Sequence, residues 1–146
     1  MRTQEEKELL LQDLCARLSY GVIVNVKGFD YDYNDKLTQI YKGNGCSIQV
    51  TTNMPYDIEQ VKPYLFPLSS MTEEQRMELN SLLPVGVSLQ INSNNFTYFE
   101  INTDLVCCFH IEFWDKFFDW LYKHHIDFRG LIEKSLALDA TNLNIY

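Results

Sequence analysis

His124, His125, Asp127 and Arg129 are the densest cluster of chemically versatile side chains in the sequence. A histidine exchanges protons near neutral pH, a carboxylate can orient its ring, and a guanidinium can hold an anion. If the four side chains converged on a pocket, they would make a small-ligand site or an acid–base centre. They also have a structural use. Histidines at a helix C-terminus interact favourably with its last carbonyls, and Asp127 with Arg129 can order the turn that follows.

Cys107-Cys108-x-His110, with His124 and His125 downstream, carries zinc-type ligands. Structural zinc sites present cysteines as spaced pairs, whereas adjacent cysteines on a helix point about 100° apart. No metal or other cofactor is therefore expected. Asp30-x-Asp32-x-Asn34 imitates the start of a calcium-binding loop, but Asp35 stands where glycine is required and Tyr41 where the bidentate glutamate belongs. The stretch 29–35 alternates aromatic and acidic residues. As an extended strand it would set Phe29, Tyr31 and Tyr33 on one face, and Asp30 and Asp32 on the other. Asp30, Tyr31, Asp32 and Tyr33 thus form a candidate contact strip. The sequence has no G-x-G-x-x-G, P-loop, H-E-x-x-H or G-x-S-x-G. Nothing in it demands an enzyme.

The elements that would position these groups follow from periodicity. Residues 4–18 read as a helix with Leu10, Leu11, Leu14 and Leu18 on one side, stopped at Gly21. Val22, Val24 and Val26 alternate into a strand, and residues 29–41 and 46–50 continue as strands around a Gly43-Asn44-Gly45 turn. Residues 54–70, with Pro55, Pro63 and Pro67, read as a connector holding one turn near residues 58–61. Thr72 and Gln75 match a capping box, which predicts a helix from Thr72 to Leu82 or Leu83. A hairpin (85–92 and 96–101) precedes a helix over 107–124 with Phe113, Trp114, Phe117, Phe118 and Leu121 in one stripe. A short helix over 131–138 and a fraying tail complete the chain. The prediction is a single α+β domain over residues 1–146. It has an N-terminal helix, an antiparallel meander or small barrel-like sheet, then a helix, a β-hairpin and C-terminal helices.

The chain has 146 residues and a formal net charge of −8, with no basic run among its twelve Lys and Arg. Phosphate backbones repel such a surface, so direct nucleic-acid binding is not expected, whereas a basic protein surface would be attracted. The N-terminus lacks the apolar stretch of a secretory signal, and no apolar run approaches the ~18 residues of a membrane span. With Cys15, Cys46, Cys107 and Cys108 read as reduced thiols, the expectation is a cytoplasmic protein without a membrane partner.

Asp13–Val22 (DLCARLSYGV), Val61–Glu74 (VKPYLFPLSSMTEE) and His124–Lys134 (HHIDFRGLIEK), in this order, resemble a group of small uncharacterised proteins of gut Bacteroidales and their phages or prophages. Relative to that group, Ser19 stands in place of a proline and Phe66 in place of an arginine. The second exchange weakens any anion site in the connector. The resemblance implies a bacterial cytoplasm and supplies no activity for these residues. The favoured reading is a non-enzymatic protein-binding or accessory module, with a homodimer as one form of partnership. Two other readings stand beside it: an acidic, phage-type inhibitor of a host nucleic-acid enzyme or defence system, and a ligand binder or enzyme built on the histidine cluster.

Overall fold

The computed structural model describes residues 1–43, 45–50, 54–83, 87–91, 96–100 and 111–146; for 43, 45–50, 87–91, 96–100 and 111–113 it describes the backbone alone. In chain order the elements are α1 (Gln4–Arg17), β1 (Ile23–Lys27), β2 (Asp32–Gly43), β3 (Gly45–Val50), β4 (Pro55–Asp57), β5 (Val61–Pro67), α2 (Glu73–Ser81), β6 (Val87–Ile91), β7 (Phe96–Glu100), α3 (Ile111–Lys123), β8 (Ile126–Asp127) and β9 (Leu138–Asp139). The class is α+β. The residues group into two compact units, Met1–Leu65 with Leu131–Tyr146, and Phe66–Gly130.

In the first unit, Thr3 caps α1 through a reciprocal capping box with Glu6, an arrangement that typically stabilises a helix by about 1 kcal/mol. Leu10 and Leu14 are buried at helical spacing, and between and after them Asp13 and Arg17 are buried as well. Gly21 ends the following 3₁₀ turn at φ 69°, a left-handed conformation that glycine adopts without a Cβ clash. The alternation in β1 is realised: Val22, Val24 and Val26 are fully buried while Lys27 is exposed. Strands β4-β3-β2-β1-β5 form an antiparallel sheet in that order, and β9 joins β5 in parallel. Among the described residues the sheet is the open meander rather than a closed barrel. A bulge between Leu37 and Gln39 shifts the parity of β2. Leu37 and Ile40, three apart, therefore both reach the core.

The connector expected at 54–70 contains the sheet's β5 strand, and the prolines that argued against it are accommodated by register. The Leu37 amide donates to the Val22 carbonyl, so even-numbered residues of β1 turn their polar groups toward β2. Val24 therefore faces Pro63 in a non-hydrogen-bonded pair, where the missing proline N–H removes no bond to β1. The β1–β5 pairing stops at that pair. Beyond it the Tyr146 hydroxyl bridges the strands, accepting from the Ile23 amide (3.3 Å) and donating to the Tyr64 carbonyl (2.6 Å). Burial pushes this phenol up from 10.0 to about 12. The tail is thus pinned rather than frayed.

The helix expected over 131–138 does not form. Ser135 adopts φ 58°, its amide bonds to the Ile132 carbonyl, and the Leu136 amide reaches back to the Leu131 carbonyl. This Schellman-type closure confines the segment to a turn. It delivers Leu136 and Ala137 to the core and Leu138–Asp139 to β5.

In the second unit, Thr72 and Gln75 form the expected capping box of α2. Strands β6 and β7 make the expected hairpin, with Val87 opposite Glu100 and Ile91 opposite Phe96; the turn at Ser93-Asn94-Asn95 lies outside the described residues. Leu68, Met71, Leu79, Phe117, Trp120, Leu121 and Ile126 form the core. Trp114 and Phe118 of the expected stripe flank it, whereas the Phe113 side chain lies outside the described residues. Phe66 and Pro67, the last residues of β5, pair in parallel with β8. Among the described residues, no helix is long and apolar enough to cross a membrane.

Candidate functional site

The aromatic–acidic strip is not one extended face. Lys27 of β1 pairs with Asp32 of β2, which leaves Gly28, Phe29, Asp30 and Tyr31 as a four-residue hairpin loop. The chain folds back so tightly that a Cβ on Gly28 would lie 2.4 Å from the Tyr31 carbonyl oxygen. Any larger residue there must open the loop. This turn breaks the alternation expected over 29–35: Asp32 and Tyr33 belong to β2, whereas Phe29, Asp30 and Tyr31 project from the loop. Phe29 is wholly exposed and Tyr31 is 73% exposed.

The loop forms one wall of an open cleft of about 290 Å³, lined also by Tyr33, Met54, Pro55, Tyr56 and Gln60. Tyr33 and Tyr56 form its floor. Both pack against the first unit's core, and the Tyr33 hydroxyl donates to that of Tyr56 at 2.6 Å. Their rings meet edge-on at 6.1 Å between centroids, and Tyr31 leans on Tyr33 at 6.2 Å with the planes 59° apart. Met54 adds a second exposed apolar side chain at the rim.

The remaining wall is held by a network. Gln60 accepts from the Asp57 amide and donates to the Lys27 carbonyl, which ties the 3₁₀ turn at residues 58–60 to the hairpin. Lys7 of α1 pairs with Glu59 at 2.7 Å, and the Arg2 guanidinium donates to the Ile58 carbonyl. The lysine beside it holds the Glu59 carboxyl below the usual range, and the carboxylate raises Lys7 in turn. Burial lowers Arg2 against the opposing pull of Glu59. These charges brace the turn, while Asp30 and Asp32 on the loop remain exposed.

Tyr56, Met54, Pro55 and Gln60 were missed by the sequence reading. The Asp57-x-x-Gln60 spacing is a capping box, a signal that could have placed Gln60. Nothing local tells that Tyr56 meets Tyr33, because that contact depends on how the sheet bends.

The histidine cluster is arranged differently. His124 stacks on Trp120, with ring centroids 4.0 Å apart, and its Nδ1 donates to the Trp120 carbonyl at 2.9 Å. This is the helix-end interaction expected of such a histidine. His125 is buried and left-handed at φ 55°, with its amide on the Tyr122 carbonyl and its own carbonyl accepting from the Phe66 amide. Asp127 is buried within β8. Arg129 donates to the Tyr122 hydroxyl at 2.8 Å and lies 5.3 Å from the Phe128 ring centroid. These contacts close the end of α3 and attach it to β8. Cys107, Cys108 and His110 lie outside the described residues, and among the described ones no three His, Cys, Asp or Glu side chains gather as metal ligands.

No protein-family model matches the chain, and no curated protein or solved structure is significantly similar to it.

Proposed function

We propose that this protein is a non-enzymatic protein-binding module whose contact surface is the aromatic cleft of the first unit. The observation that carries this reading is the continuity of Phe29, Tyr31 and Met54, all exposed, around a tyrosine floor anchored in the core. Exposed aromatic side chains have little entropy to lose and much apolar surface to bury, so they serve as anchors in interfaces. A rigid floor reduces the cost of ordering on binding. On the resemblance of three sequence segments, the setting we propose is the cytoplasm of a Bacteroidales bacterium or of a cell infected by its phage.

The test is site-specific photo-crosslinking. A photoreactive phenylalanine analogue at position 29 is expected to trap one defined protein in lysate of such a host. The same analogue at exposed Met77 of α2 should not. A trapped second copy of the chain would identify a homodimer through this surface. Equal, diffuse background from both positions would overturn the reading.

A further inference from the structure

We propose that the cleft receives an arginine side chain of the partner protein. The inference rests on reading this surface as a protein-binding site and specifies what it grips. Tyr31, Tyr33 and Tyr56 line the cleft with adjacent rings inclined rather than stacked on one another. A cation within about 6 Å of a ring centroid is attracted by the negative potential of the ring face. Asp30 lines the same cleft, and Asp32 begins the adjoining strand. Asp32 stands opposite Lys27 in register, so Asp30 is the charged residue among those lining the cleft, and the chain as a whole carries −8. The complementary ligand is a cation with a flat, weakly hydrated head.

Arginine fits this description better than lysine. Its guanidinium stacks on an aromatic ring while its edge pairs with a carboxylate in two parallel hydrogen bonds, whereas an ammonium is compact and strongly hydrated. A volume of about 290 Å³ is at the small end for a pocket that encloses a whole ligand. It suits one long side chain entering from above. Phe29 and Met54 stand exposed at the rim, where they would pack on the residues flanking that arginine. A free cationic metabolite would leave them uncovered, which is why the occupant is placed on a protein.

The experiment is an NMR titration of the whole chain with blocked pentapeptides carrying a central arginine between apolar residues. Matched peptides carry lysine, or citrulline, which keeps the shape of arginine and removes its charge. The arginine peptide is expected to shift the ring resonances of Tyr31, Tyr33 and Tyr56. Citrulline should bind about tenfold more weakly or worse, lysine should fall between, and added salt should weaken the arginine peptide. Asp30→Asn, in an exposed loop, should give a similar loss with an unchanged amide spectrum. Equal binding of the arginine and citrulline peptides, or no ring shifts at millimolar peptide, would overturn the inference. A partner trapped at position 29 whose capture is indifferent to Asp30→Asn would also overturn it, while leaving the protein-binding reading intact. Failure to trap any partner would remove both.

Discussion

The hairpin cleft and the end of helix α3 contain the same kinds of residue in contrasting arrangements. Around α3, aromatic rings pack on one another: Phe117 is fully buried, and the half-buried Trp114, Phe118 and Phe128 follow, with Trp114 stacked on Phe118 at 6.0 Å and Phe118 against Phe128 at 5.4 Å. The polar groups there are drawn into the same task, with His124 on Trp120 and Arg129 on Tyr122. In the hairpin the rings are anchored at the floor and bare at the rim, and the carboxylates beside them are exposed. A dense polar cluster can therefore be structural, while the hairpin leaves its aromatic rim exposed.

That contrast can be broken at its strongest point by Phe117→Ala. Removing a fully buried ring from the second unit's core should destabilise the protein by about 3–5 kcal/mol, measured by denaturant unfolding. A loss below about 1 kcal/mol would mean that this cluster is not a packed core.

Arg17→Ala should be nearly as severe. Arg17 pairs with Asp13 at 2.7 Å, and both side chains are fully buried. Losing one partner strands a buried charge at about 3–5 kcal/mol, whereas replacing both with apolar residues of similar volume should recover most of it. A single mutant as stable as the parent would show that the pair is solvated.

A smaller effect is expected from Tyr146→Phe, about 1–3 kcal/mol at neutral pH, because the Ile23 amide and the Tyr64 carbonyl lose their bridge. The phenol is raised to about 12 in the folded state against 10.0 ordinarily. Its contribution is therefore fully present below pH 10 and is lost as pH rises toward 12, an effect that water screens because the side chain is 45% exposed. The parent should lose stability across that window more steeply than the phenylalanine variant.

The smallest effect belongs to Lys7 and Glu59. Because the Glu59 carboxyl is held below its usual range, its contribution is present above that range and disappears as pH falls through the folded value. Lys7→Met should flatten this acid limb while leaving the neutral-pH fold intact. Identical acid limbs would remove the brace from the account.

What the sequence made legible was whatever is written locally. The valine alternation of β1, the Thr72–Gln75 box, the β6–β7 hairpin and the stripe of α3 follow from period and capping alone. Strand β5 was hidden because Pro63 opposes a strand unless register removes the need for its N–H group, and register is a property of β1 and β2 together. The helix expected at 131–138 failed at Ser135, a residue whose left-handed backbone no pattern announces. The burial of Asp13 and Arg17 had no local signal, because nothing in the helix period marks an ion pair that is buried. For the candidate site, the sequence singled out Asp30, Tyr31, Asp32 and Tyr33 but set them on a strand. The tight turn at Gly28 moved the first two into a loop, and Tyr56 came from a distant strand through the bend of the sheet.

The central claim is that the open aromatic surface serves binding and not folding. It is tested most directly by the double variant Phe29→Ala/Tyr31→Ala, followed in parallel by denaturant unfolding and by capture of the partner trapped at position 29 of the parent. The expected result is a stability within about 0.5 kcal/mol of the parent and loss of capture. A variant that unfolds with the severity of Phe117→Ala, or one that captures the partner as well as the parent, would contradict it.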